Sequence, residues 1–229
     1  MTDYLCKICS ICILGDGSVG KSSIIASFKD DGFTPVYKQT LGIDFFEKKL
    51  KIKDDLFISI KLWDVGGQSI NSRNLDKYLS SSDILFLVYD VTNPQSFSNL
   101  DDWMSKIKQY SKSNLIYLIA NKIDMVQARL IKDSDHNRFI LENKLSGGLF
   151  VSAKTGDNLV KSFYQISAKF CGYSMTSYEL SFFDKVVPAY ITKSNNCDED
   201  RTAWADEIEA EDLAAEKRRQ GVFCRCNLS

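Results

Sequence analysis

Between Lys7 and Gly172 the sequence alternates short β-branched and apolar runs with longer amphipathic stretches. That rhythm predicts βα units around a mostly parallel sheet. Strands are expected near residues 7–14, 44–52, 56–63, 84–90, 115–120 and 149–151, and helices near 21–29, 73–81, 95–111, 133–143 and 157–171. Leu56, Ile58, Ile60 and Leu62 alternate with mixed residues, which predicts a half-exposed antiparallel edge beside the second strand. The other strands are more uniformly apolar, as parallel strands covered on both faces should be. Beyond Gly172 the periodicity weakens, and a polar stretch runs from Lys193 to Asp200. The division is therefore a domain at 1–172 and a tail at 173–229, with a candidate helix at 201–219. Asp198, Glu199 and Asp200 at its start and Lys217, Arg218 and Arg219 at its end suit the helix dipole. Asp212 interrupts the apolar face begun by Trp204 and Ile208, favouring a solvated or partner-docking segment over a membrane-lying helix.

Composition narrows the class. A chain of 229 residues, 44% hydrophobic and 26% charged with three prolines, has the makings of one well-buried domain plus a tail. The longest apolar runs, Ile84 to Tyr89 and Leu115 to Ala120, fall far short of the roughly 20 residues a membrane-spanning helix needs. The N-terminus, with Asp3 and no basic region followed by an apolar core, lacks the look of a secretory signal, so a reducing cytoplasmic setting is expected. Residues 198–229 hold nine acids and five bases, a balance of −4 that leaves +3 on residues 1–197 of a chain whose net charge is −1. A surplus so small and scattered excludes a nucleic-acid footprint.

The chemistry begins at Gly15-Asp16-Gly17-Ser18-Val19-Gly20-Lys21-Ser22, a G-x-x-x-x-G-K-S run between an apolar strand and a helix. Glycines let successive backbone N–H groups face a phosphate, and the helix N-terminus adds partial positive charge. Lys21 would reach the β and γ phosphates, and Ser22 would offer a hydroxyl to Mg²⁺. Such a loop serves kinases, ATPases and GTPases alike. Asn121-Lys122-Ile123-Asp124 follows the strand 115–120, at a strand carboxyl end where ligands collect. Its Asp124 carboxylate can accept from guanine N1–H and the 2-amino group, a donor pair that adenine lacks. Ser152-Ala153-Lys154 after the last strand adds a second loop on the same edge.

With these residues together, the sequence resembles the Ras superfamily of small GTPases over roughly residues 7–171. The resemblance implies a six-stranded P-loop G domain with one antiparallel edge strand, binding GTP or GDP with Mg²⁺. It implies that Phe33 packs on the guanine, that the Ala153 N–H faces the base oxygen, and that Asn121, Lys122, Ser152 and Lys154 brace the base loops around Asp124. Ser23 and Tyr37 join the nucleotide pocket. Thr40 would touch Mg²⁺ and the γ phosphate, Asp64 would hold Mg²⁺ through water, Gly67 would donate its N–H to the γ phosphate, and Gln68 would orient the attacking water. Gly17 stands where bulkier residues jam hydrolysis in the family. Losing the γ phosphate would release Thr40 and Gly67, which is the switch. Unaided hydrolysis is expected to be slow, on the order of 10⁻⁴ per second, with no arginine evidently supplied in cis. Partners implied are effectors, an exchange factor and a GTPase-activating protein acting on a monomer.

Trp63-Asp64-Val65-Gly66-Gly67-Gln68 resembles the Arf and G-protein α pattern. Thr40-Leu41-Gly42-Ile43-Asp44-Phe45 and Tyr89-Asp90-Val91-Thr92 instead resemble Rab signatures, and Thr2 replaces the glycine that N-myristoylation demands. Together with Leu75 to Tyr78 and the run from Ser152 to Asp157, these features are most similar to the divergent Rab twenty-eight subgroup. An Arf-like GTPase and a non-hydrolysing GTP-dependent scaffold are the alternatives. Ser69 and Gly66 depart from the usual glutamate and alanine of Rabs. Resemblance further implies vesicle traffic on a cytoplasmic membrane face, endosomal or ciliary for the subgroup.

Cys226-Asn227-Leu228-Ser229 fits C-a-a-X with a farnesyl-type final serine, which would engage a prenyltransferase. One lipid anchors weakly, so Cys224 or the bases Lys217, Arg218, Arg219 and Arg225 would supply a second signal. Cys6, Cys9 and Cys12 are spaced for a metal, but a strand turns Cys9 away from the other two. Cys171 and Cys197 carry no evident chemistry. His136, on a polar helical stretch, is expected to be solvated. Trp63 and Phe45 are either core or effector-facing aromatics, whereas Trp103 and Phe97 are expected to pack a helix on the sheet.

Overall fold

Along β1 (Leu5–Leu14) the strand's twofold alternation sends Cys9, Ile11 and Ile13 into one core and Cys12 and Leu14 into another, all fully buried. A computed structural model describes residues 5–29, 40, 42–53, 56–67, 75–113 and 115–183. Around β1 lie β2 (Ile43–Lys53), β3 (Leu56–Val65), β4 (Ile84–Asp90), β5 (Leu115–Asn121) and β6 (Gly147–Phe150), in the order β2-β3-β1-β4-β5-β6. Among the described residues only the β2–β3 pair is antiparallel.

Helices α1 (Lys21–Lys29) and α6 (Leu159–Phe170) supply one core, where Phe28 and Phe163 stack with centroids 3.9 Å apart. Helices α2 (Leu75–Ser81), α4 (Leu100–Tyr110) and α5 (Asp133–Asn143) cover the opposite face through Leu79, Trp103 and Phe139. A short α3 (Pro94–Ser98) precedes α4, and α7 (Ser177–Ser181) follows α6. Among the described residues, no helix is long and apolar enough to cross a membrane.

The expected six-stranded α/β architecture is present, with local corrections. The outer strand is β2, and β3 lies inside, between β2 and β1, with Ile58, Ile60 and Leu62 fully buried. The alternation along β3 reflects unequal cover of its two faces, since Phe57, Lys61 and Trp63 are half-buried. The single helix expected at 95–111 is two helices jointed at Asn99, which closes α3 and opens α4. The last strand begins earlier than 149, at Gly147, because two glycines carry no apolar signal. Among the described residues beyond Gly172, Tyr173 and Met175 pack on the first core, and Phe183 stacks on Tyr164 with centroids 4.0 Å apart. A reciprocal capping box, Thr176 with Glu179, starts α7.

Candidate functional site

The loop after β1 arches over the carboxyl ends of β1 and β4 and leads into α1. Gly20 takes φ +97°, and a Cβ there would stand 2.3 Å from Asn121 Nδ2, so the lysine-bearing turn tolerates no side chain. Lys21, the first residue of α1, is nearly buried and donates to the carbonyls of Gly15 (2.7 Å) and Asp16 (2.6 Å). Burial lowers its ammonium to about 8, against the pull of Asp64 and Asp16. A polyphosphate lying beside Lys21 would favour its charged form.

Three oxygens converge next to it. Ser22 Oγ lies 2.8 Å from Thr40 Oγ1 and donates to Asp64 Oδ2, which Thr40 Oγ1 also approaches at 3.5 Å. Asp64 is almost wholly buried, and its Oδ1 has no hydrogen-bond partner among the described residues. Burial raises the Asp64 carboxyl above its ordinary range, against the Ser22 bond and the Lys21 charge, with Asp44 adding to the rise. Two hydroxyls and a carboxylate with an unused oxygen form a hard, all-oxygen donor set that fits Mg²⁺. Gly67 closes over the loop: a Cβ there would fall 2.1 Å from Gly17 N and 2.4 Å from Asp16 C.

The base-side loops are joined by one residue. Asn121, fully buried at the end of β5, donates from Nδ2 to Val19 O (2.8 Å), while its Oδ1 accepts from Ala153 N–H (3.1 Å). The phosphate loop and the Ser152–Lys154 loop are thus held by the two ends of one amide. Ser152 Oγ donates to Asp124 Oδ1 (2.6 Å) and accepts from Thr155 N–H (3.1 Å), which fixes the Asp124 carboxylate. Lys122 takes φ +67° and pairs with Asp90 at 2.5 Å. Thr92 donates to Asp90 from both its N–H (2.8 Å) and its hydroxyl (2.7 Å). A fixed carboxylate opposite a lysine-bearing phosphate loop can read a guanine and hold its phosphates at once.

The sequence reading places these residues on one edge, and there Gly15 to Gly20, Thr40, Gly67, Lys122, Asp124, Ser152, Ala153 and Lys154 lie in connecting segments, with Lys21 to Ser23 opening α1, Asp64 near the end of β3 and Asn121 closing β5. Phe33, Tyr37, Gln68, Cys224, Cys226 and the candidate helix 201–219 lie outside the described residues. Asp90 as the partner of Lys122, and the side-chain bonds of Asp16, were not foreseen. The Tyr89-Asp90-Val91-Thr92 run was the one available signal for the former. His136 is a correction: it is 1% exposed, with Nδ1 3.0 Å from Tyr89 Oη and its ring 4.4 Å from that of Phe150. Its helix turns His136, Phe139 and Ile140 inward together, a spacing hidden by the polar residues between them. Trp103 packs in the core as expected. Phe45 is half exposed and sits against Trp63 (4.6 Å), which in turn meets Tyr78 (5.1 Å). Cys9 and Cys12 enter opposite cores, and no cluster of potential metal-binding His, Cys, Asp and Glu exists among the described residues.

Comparison with known proteins agrees with this geometry. Residues 10–171 match the Ras family model. The chain is 38% identical to the Ras-related protein Rab-28 of Caenorhabditis elegans over 178 residues, covering 76% of this chain and 71% of that protein. It is 35% identical to Rab-1 of Theileria annulata over 72% of this chain and 74% of that one. With human Rab-3A it shares 34% identity over 74% of this chain and 75% of the relative. Proteins of this family are GTPases that bind GTP and GDP, and the matched span takes in the phosphate loop, Asp64, Asn121-Lys122-Ile123-Asp124 and Ser152-Ala153-Lys154. The chain belongs to the Ras family, as a Rab-type small GTPase.

Proposed function

We propose that this GTPase is a Mg²⁺-dependent switch that recruits effectors when loaded with GTP and works on a cytoplasmic membrane face in vesicle traffic, in the manner of the Rab twenty-eight subgroup. The observation that carries the nucleotide chemistry is the convergence of Lys21, the Ser22–Thr40–Asp64 oxygens and the Asn121-linked base loops on one sheet edge. Mg²⁺, when bound, supplies neutralisation of the phosphate charge. Lys21 and the loop N–H groups would hold the β and γ phosphates, Ser22 and Thr40 would offer the cation their hydroxyl oxygens, Asp64 would hold it through water, and Gln68 would orient the attacking water. Loss of the γ phosphate frees Thr40 and Gly67, and with them the surfaces that effectors read. The exposed Phe45 beside Trp63 and Tyr78 supplies an aromatic strip for such a partner. Attachment rests on Cys226, with Cys224 or the tail bases as the second signal.

Single-turnover conversion of preloaded GTP, with ATP as control, tests the switch. Slow, finite conversion with no retained ATP is expected, and Gln68→Leu should keep binding while slowing hydrolysis at least tenfold. Tight GTP binding with no conversion over many hours would instead make the protein a GTP-dependent scaffold.

A further inference from the structure

Asp16 places a carboxylate in a loop built to receive phosphates, where a negative charge is unhelpful unless it is held for another purpose. Both of its oxygens are occupied by the helical layer: Oδ1 accepts from Trp103 Nε1 (2.9 Å) and Oδ2 from Asn99 Nδ2 (2.6 Å). We propose that Asp16 is a positioning residue for nucleotide retention, anchoring the phosphate loop to the α3–α4 joint. The anchor is stiff. Trp103 is 1% exposed in the second core, and Asn99 is fixed by the Gln95 amide on its Oδ1 (2.7 Å) and by its own N–H on the Gln95 carbonyl (2.9 Å). The main chain of the same residue faces the reaction: its carbonyl accepts from Lys21 Nζ at 2.6 Å, and a Cβ on Gly67 would fall 2.4 Å from its carbonyl carbon. One residue therefore transmits the position of the α3–α4 joint to the phosphate-binding lysine. A partner that shifts this joint gains a handle on nucleotide release from outside the switch loops.

The inference rests on the phosphate loop holding the nucleotide. Its test is release of a fluorescent GDP analogue from Mg²⁺-loaded protein into excess GDP. Asp16→Asn puts a second amide against two donors and should speed release about tenfold, the scale of a lost charge-assisted hydrogen bond. Trp103→Phe, which keeps an aromatic ring but removes the donor, and Asn99→Ala, on a half-buried side chain, should each speed it about threefold. The double variant Asp16→Ala with Trp103→Phe should release no faster than Asp16→Ala alone, since the alanine already removes the acceptor that the Trp103 indole uses. Unchanged release in the single variants, or effects that multiply in the double, overturns the proposal. So does a loss of melting temperature that is equal in loaded and emptied protein with release unmoved, the mark of a merely structural bond. If Asp16→Asn fails to fold, Trp103→Phe and Asn99→Ala decide alone. A wild type that retains no guanine nucleotide would instead sink the nucleotide assignment of the loop.

Discussion

His136 shows what burial does to a residue whose sequence neighbourhood is polar. Enclosure by Tyr89, Phe150 and the inner face of α5 pulls its imidazole down to about 4, with Asp133 acting against this and Arg129 with it. The unfolded chain's histidine takes its proton near 6.5, so between pH 6.5 and 4 the unfolded state binds a proton that the folded state refuses. Stability must fall as the pH drops through that window, by up to about 3 kcal/mol from this group. His136→Asn should lower the melting temperature near neutrality yet flatten its decline from pH 6.5 to 4, measured against wild type by thermal unfolding. Parallel pH profiles would remove His136 from the acid response. The phosphate loop, Asn121 to Asp124 and Ser152 to Lys154 were legible because their chemistry sits in a few adjacent residues. Asp16 with Trp103, and Tyr89 with His136, were not: those partners are 87 and 47 positions apart, and only the fold brings them together.

Element by element, the site depends on strands that end level with one another. Because β5 and β6 are parallel and in register, Asn121 and the Ser152–Ala153 turn emerge side by side, and Ser152 reaches Asp124 across the gap. Asp124→Asn keeps an acceptor for N1–H but turns a donor toward position 2, an amino group in guanine and a carbonyl oxygen in xanthine, and should transfer preference from guanine to xanthine nucleotides. Competition between GDP and xanthosine diphosphate checks this, and unchanged selectivity would remove Asp124 from base reading. In the last described helix, α7 is set by its cap: Glu179 accepts from the Thr176 N–H (2.7 Å) and from the Tyr173 hydroxyl. Those bonds hold its carboxyl below the usual glutamate range. Glu179→Ala should speed amide exchange through residues 176–181 with little change in global melting temperature, since this short helix buries none of its residues. The strand and helix order was readable from apolar rhythm, but the joint at Asn99 was not, because α3 and α4 meet without a break in the pattern.

At the scale of the molecule, nucleotide chemistry occupies one edge of the sheet, while the proposed membrane attachment belongs to the tail. The two functions are therefore separable. Cys226→Ser should leave GTP binding and hydrolysis unchanged while shifting the expressed protein from membrane to soluble fractions, and retention on membranes would remove Cys226 from anchoring. The outer strand β2 adds a further property. Its far flank carries no paired strand among the described residues, and the exposed Lys49, Lys51 and Lys53 populate one half of it. Such a row of lysines repels an identical strand arriving from another copy. Molecules packed densely side by side would meet along β2 as like charges, which disfavours pairing of their sheets at that flank.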